Sequence, residues 1–93
     1  LPYRADLLQP FALLHIAKIM KYGADKYGDR NWYKIDVNDH LNHALVHLLA
    51  HLAGDTQDDH LGHAAWRVVS ALDQKLSGRD EANALNAAKA VKV

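Results

Sequence analysis

Apolar residues recur three and four positions apart through most of the chain, and the repeat breaks at 22–38, at 54–58 and at 78. That spacing predicts helices over about 10–21, 39–53 and 59–77, with an Ala-rich fourth helix starting at Asp80. Pro10 suits a first helical turn, where its missing N–H costs nothing. The following FALLHIAKIMK is apolar around most of its circumference, leaving only His15, Lys18 and Lys21 polar, so this helix is expected to be largely buried and to stop at Gly23. In the second helix Leu41, Leu45, Leu48, Leu49 and Leu52 share one side. His40, His43 and His47 run beside them with His51 and Ala44. Asn38 or Asp39 is the expected cap of that helix and Asp58 that of the third. The third is expected to bury Leu61, Ala65, Val68, Val69, Leu72 and Leu76, with His60, His63, Arg67, Ser70 and Gln74 opposite. A connection as short as Gly54–Asp58 makes the two helices antiparallel neighbours and brings the His47–His51 end of one beside the His60–His63 start of the other.

Length and charge narrow the picture. Ninety-three residues suit one domain, here all-α: a small bundle of about four helices over 1–93, completed by homodimerisation or a higher homo-oligomer. No apolar run reaches the roughly 20 residues of a membrane span. Formal charge is zero, which disfavours duplex nucleic acid as a partner. Cysteine is absent; disulfides and thiolate ligands are excluded, and a reducing cytoplasm fits. The opening LPYRADLLQP has neither an initiator Met nor a signal-peptide core, as expected of a trimmed chain.

Six of the seven histidines lie between Asp39 and Arg67. His47 and His51 are a turn apart, as are His60 and His63, so each pair can point one way. With Asp58 or Asp55 they make a mixed nitrogen and oxygen set, which suits manganese, cobalt, zinc, iron or nickel better than magnesium. Such an ion would make hydroxide available near neutral pH. His47, Asp58, His60 and His63 are the expected ligands, with Asp55 or His51 orienting or deprotonating water. His15, His40 and His43 are read as solvated or helix-end groups.

The segment 22–38 mixes two Gly, three Tyr and a Trp with alternating charges; it reads as a functional loop. Lys26 and Arg30 can neutralise phosphate, Tyr27 and Trp32 can wall a base, and Asn31 offers both a donor and an acceptor. A packed Ω-loop is the competing reading, and Trp66 is expected in the core.

RADLLQPFAL, GADKYGDRNW and HALVHLLAHLAGDTQDDHLGHAAW resemble successive blocks of a phage-associated helical family, the N-terminal domain of dATP/dGTP diphosphohydrolases, near the MazG-like all-α nucleotide pyrophosphohydrolases. The resemblance spans residues 4–73. It implies a nucleoside triphosphate substrate, a purine deoxynucleotide cleaved between the α and β phosphates with a divalent metal, in the host cytoplasm. It supports Lys26, Tyr27, Arg30, Asn31 and Trp32 at the substrate, and His47, Asp58, His60 and His63 at the metal. Where the family often has Arg, this chain has Val46; where it often has Asn, this chain has Arg67, which can restore the lost positive charge from the facing helix. The Glu-rich magnesium pairs of the MazG-like group are absent, since Glu81 is the single Glu. The alternative is a non-enzymatic helical module that binds metal structurally or oligomerises in response to pH.

Overall fold

Three helices carry the fold of residues 1–81, which the computed structural model describes: α1 (Pro10–Tyr27), α2 (Val37–Leu52) and α3 (His60–Ser77). Short 3-10 turns cover Ala5–Leu7 and Asn31–Lys34, and no strand occurs among the described residues, so the chain is all-α. A helical backbone resumes at Arg79. The Ala-rich segment expected to form the fourth helix lies, past Glu81, outside the described residues. Among those described, no helix is long and apolar enough to cross a membrane.

The helix ends follow local chemistry, with shifts from expectation. Pro10 opens α1, but Gly23 does not close it. One Gly inside a helix costs only about 1 kcal/mol relative to Ala, and the Lys21–Asp25 ion pair (2.7 Å) bridges the turn that holds it. The helix instead stops at Gly28, whose φ of +95° suits a residue without Cβ and whose N–H donates to the Ala24 carbonyl at 2.9 Å. Lys26 and Tyr27 therefore stand on the last turn of α1, and the expected 22–38 loop shrinks to a nine-residue connector, Gly28–Asp36. Asp36 caps α2 by accepting from the Asn38 N–H (3.0 Å), ahead of Asn38 and Asp39. Asp59 caps α3 by accepting from the Gly62 N–H (3.1 Å), so Asp58 does not have that task. Gly62 fits here because a Cβ would collide with the Asp59 carboxylate. Asp80 pairs with Lys75 (2.9 Å) from within the helical backbone that resumes at Arg79, past the cap position.

The interior is the reverse of the expected one. The α2–α3 pair packs through Ala44, Ala64 and Ala71, with Val37 at one end, and around the buried polar side chains His40, Ser70 and Gln74. Small residues let the two backbones approach, while the leucine stripes look outward: Leu52 and Leu76 are each 80% exposed. In α1 no residue is buried, and Phe11 and Leu14 lie open to solvent. His40, expected at the surface, is completely buried. Its Nε2–H donates to the Trp32 carbonyl (3.0 Å), which also accepts from the Gln74 amide (3.0 Å). Gln74 donates in addition to the Ile35 carbonyl (2.9 Å). Two buried polar side chains, one from each helix, thus fix the connector backbone; buried polar groups persist where such bonds are complete.

Candidate metal centre and adjoining cleft

Because α2 and α3 run antiparallel, the last turns of α2 face the first turn of α3, and the connection between them folds its carboxylates over the junction. His47, Asp58 and His60 each bring one ligand atom into a group whose atoms lie within 4.8 Å of one another. The two Nδ1 atoms of His47 and His60 are 2.9 Å apart. Two nitrogens each about 2.1 Å from one ion stand about 3 Å apart at a right-angled arrangement, so the separation fits two ligands of a shared cation.

The outer hydrogen bonds decide which nitrogens are free. Asp55 receives a short hydrogen bond from His60 Nε2, leaving the lone pair of a neutral His60 on Nδ1, the atom that faces His47. A carboxylate behind a ligand imidazole is the usual device for fixing ring orientation and tautomer. That hydrogen bond also holds the Asp55 carboxyl below its ordinary value. Burial, aided by the neighbouring His63, lowers the His47 imidazole, which favours the neutral form a metal needs. Asp58 is exposed and spared from capping α3, with Oδ1 near both the Asp59 N–H (2.7 Å) and His63 Nε2 (3.7 Å).

His63 lies beside this group and is not one of its three members. Its ring stacks on His47 with centroids 5.2 Å apart. Its Nδ1 accepts from the Trp66 indole N–H at 3.2 Å. A neutral His63 so engaged carries its proton on Nε2, so that nitrogen offers a donor and no lone pair. Trp66 in turn lies under the Arg67 guanidinium, 4.3 Å from ring centroid to Cζ. Arg67 Nη1 donates to His40 Nδ1 (3.3 Å), consistent with the tautomer set by the Trp32 carbonyl. Burial lowers the Arg67 guanidinium, and no carboxylate lies in salt-bridge contact with it among the described residues.

A cleft of about 750 Å³ opens alongside, between the second half of α1, the connector and α3. Lys26, Tyr27, Arg30, Asn31, Trp32 and Arg67 all line it, together with His63 and Trp66. Lys26 lies over the Tyr22 and Tyr27 rings, at 5.0 and 5.7 Å. Arg30 holds a left-handed backbone (φ 55°), unusual for a residue with a side chain. The connector is anchored beyond it by Trp32 against Tyr33 (3.8 Å) and by Arg79 over the Tyr33 ring (3.9 Å). His15 on α1 reaches Asp59 (2.5 Å), tying α1 to the start of α3 and lowering the Asp59 carboxyl.

The structure thus gathers the expected site residues into two adjoining clusters. His47, Asp55, Asp58 and His60 meet at the helix junction, and the five expected substrate residues meet Arg67 in the cleft. His63 joins the two clusters. His51, one turn past His47, is exposed and makes none of these contacts. Sequence reasoning passed over His40, Gln74 and His15, all of which position others. The only sequence sign of the first pair was a polar residue on the side of each helix facing the other. Against known proteins, the family described as dATP/dGTP diphosphohydrolase, N-terminal, matches residues 2–84. No curated protein and no solved structure matches the chain at a significant level.

Proposed function

Since the chain belongs to the dATP/dGTP diphosphohydrolase N-terminal family, we propose that it hydrolyses a purine deoxynucleoside triphosphate to the monophosphate and pyrophosphate, with a divalent metal held by His47, Asp58 and His60. The observation that carries this reading is the continuity of the two clusters through His63, which lines the cleft and stacks on a metal-group imidazole. A nucleotide whose base lies between the aromatic residues of the cleft would extend its phosphates past Arg67 and His63 toward the junction.

The donor set fits the metal. Two neutral imidazoles and one carboxylate suit manganese, cobalt, zinc, iron or nickel better than magnesium, and three protein ligands leave coordination positions open, as reactive sites do and closed structural sites do not. A cation so bound lowers the pKa of water and offsets charge on phosphate oxygens. The residues of the chain do the rest. Asp55 orients His60, an orienting role in place of general base. The Nε2–H of His63 and the guanidinium of Arg67 donate to phosphate oxygens as charge moves onto the leaving pyrophosphate, where donors fixed in advance are worth most. Arg30 and Lys26 offset phosphate charge from the cleft wall, and Tyr27 and Trp32 bound the base. In the reaction a water gives up a proton to solvent and its oxygen forms the new bond to the α-phosphorus. The bond from that phosphorus to the bridging oxygen breaks, and pyrophosphate leaves with the electron pair.

The test is release of pyrophosphate from dATP, dGTP and the pyrimidine triphosphates in the presence of manganese, cobalt or magnesium. The expected result is turnover of the purine substrates that chelator abolishes and manganese or cobalt restores better than magnesium. Absence of turnover across the whole panel would overturn the assignment.

A further inference from the structure

The outward stripes of α2 and α3 form one continuous surface. On α2 the packing sector holds buried His40 and Ala44 with half-buried His47, and on α3 it holds buried Ala64, Ala71 and Gln74 with half-buried Arg67; these sectors face each other. In each helix the stripe of large aliphatic residues follows its packing sector by roughly 110–150° in the helical sense. Because the helices are antiparallel, both rotations turn to the same side of the pair. Leu41, Leu45, Leu48, Leu49 and Leu52 therefore continue into Leu61, Val68, Val69, Leu72 and Leu76. These ten are 38–80% exposed, together the equivalent of five to six whole side chains. Charged residues flank the α3 stripe without entering it: Asp73 on one edge and, on the other, Lys75, which turns to Asp80 (2.9 Å).

We propose that this face is covered by a second copy of the chain, two helix pairs meeting about a two-fold axis to close a four-helix bundle. The open surface is on the order of 900 Å² per chain, against about 800 Å² per partner in a standard stable interface and a few hundred Å² for the largest apolar patch usual on a monomer. The chain needs such a partner, because the buried hydrophobic residues among those described are only Val37, Ala44, Ala64 and Ala71. A face of leucine and valine with only Asp73 and Lys75 at its rim matches itself under two-fold symmetry. Pairing here leaves the cleft and the histidine junction open, since α1 and the connector pack on the other side of α3. The proposal is independent of the nucleotide reading.

Sedimentation equilibrium of the chain at micromolar concentration tests it. The expected mass is twice 10.4 kDa. The double variant Leu45→Glu/Leu72→Glu is expected to sediment as a monomer, whereas Leu14→Glu on α1 stays dimeric. A monomeric wild type overturns the proposal and leaves the face to the chain beyond Glu81 or to a different protein. Dissociation by Leu14→Glu with no effect of the double variant also overturns it. Should the double variant lose its helical circular dichroism, the absence of cysteine allows a second measurement on Leu49→Cys. Thiol labelling that slows about tenfold or more between nanomolar and high micromolar protein supports the dimer by mass action. Labelling at a rate independent of concentration counts against it.

Discussion

The two sides of the α2–α3 pair make a contrast within one piece of structure. The inner side is built from histidine, alanine, glutamine and arginine, with each buried imidazole committed to a named partner. The outer side is built from leucine and valine with no committed partner among the described residues. Apolar surface is non-directional and tolerates many arrangements. The inner bonds specify one, because a buried polar atom deprived of its partner costs about 1–3 kcal/mol. Position-dependent chemistry therefore belongs on the inner side, where Asp55 fixes one face of His60 and Trp66 fixes one face of His63. The lesson is that a histidine nitrogen is free to accept or bound to donate according to what holds the other nitrogen of the ring.

The sharpest break in the contrast comes from His60→Ala, which removes a proposed ligand and the target of Asp55. Pyrophosphate release should fall well beyond the roughly 10–100-fold expected from losing only a neighbour behind a ligand; steady-state assays with purine triphosphates check this. Asp55→Asn should give that smaller loss, about 10–100-fold in metal affinity, with the helical content unchanged. Metal titration followed by circular dichroism separates the two effects. Unchanged affinity in Asp55→Asn would mean that the carboxylate does not orient the ring.

His40 sharpens the contrast through stability. His40→Ala leaves Arg67 without one acceptor and the Trp32 carbonyl with Gln74 as a remaining donor, and should cost about 2 kcal/mol, read as a lower urea midpoint. The same residue sets a smaller, pH-dependent effect. Burial lowers the His40 imidazole from its ordinary 6.5, against a partly opposing hydrogen bond to the Trp32 carbonyl. Arg67 and His43 lower it further, while Asp39 raises it. The unfolded chain then binds the proton more readily than the folded one. Stability from this group is complete above about pH 6.5 and is lost as the pH falls below it. His40→Gln, which keeps a donor and an acceptor but does not titrate, should show a shallower fall in Tm between about pH 7 and pH 5. Equal slopes in both proteins would contradict the assignment.

Much of this was legible in the sequence. Periodicity gave the helices, Pro10 and Gly78 gave two of their ends, and the short acidic connection gave the antiparallel pairing that brings His47 to His60. Four things were not. Asp36, Asn38 and Asp39 all offer cap chemistry at the start of α2, as do Asp58 and Asp59 at α3, and adjacent carboxylates cannot be ranked by pattern. Gly23 looks like a stop because its cost is local, while the residues that carry the helix past it act over the following turns. Most important, periodicity marks a stripe but not what the stripe packs against. The leucines satisfy a core pattern, yet the alanines beside the histidines allow the closer helix approach, and close approach decides the inner side. The hydrogen bond to His63 was hidden for a related reason: Trp66 three residues later was in view, but the direction of its indole N–H depends on the folded rotamer.

The central claim is that His47, Asp58 and His60 hold one divalent ion while His63 stands beside it as a donor. Cobalt titration followed by visible absorption tests it most directly. One ion per chain should bind to the wild type and to His63→Ala with similar spectra, and the bands should be lost in His60→Ala. Full binding by His60→Ala, or loss of the ion in His63→Ala, would contradict it.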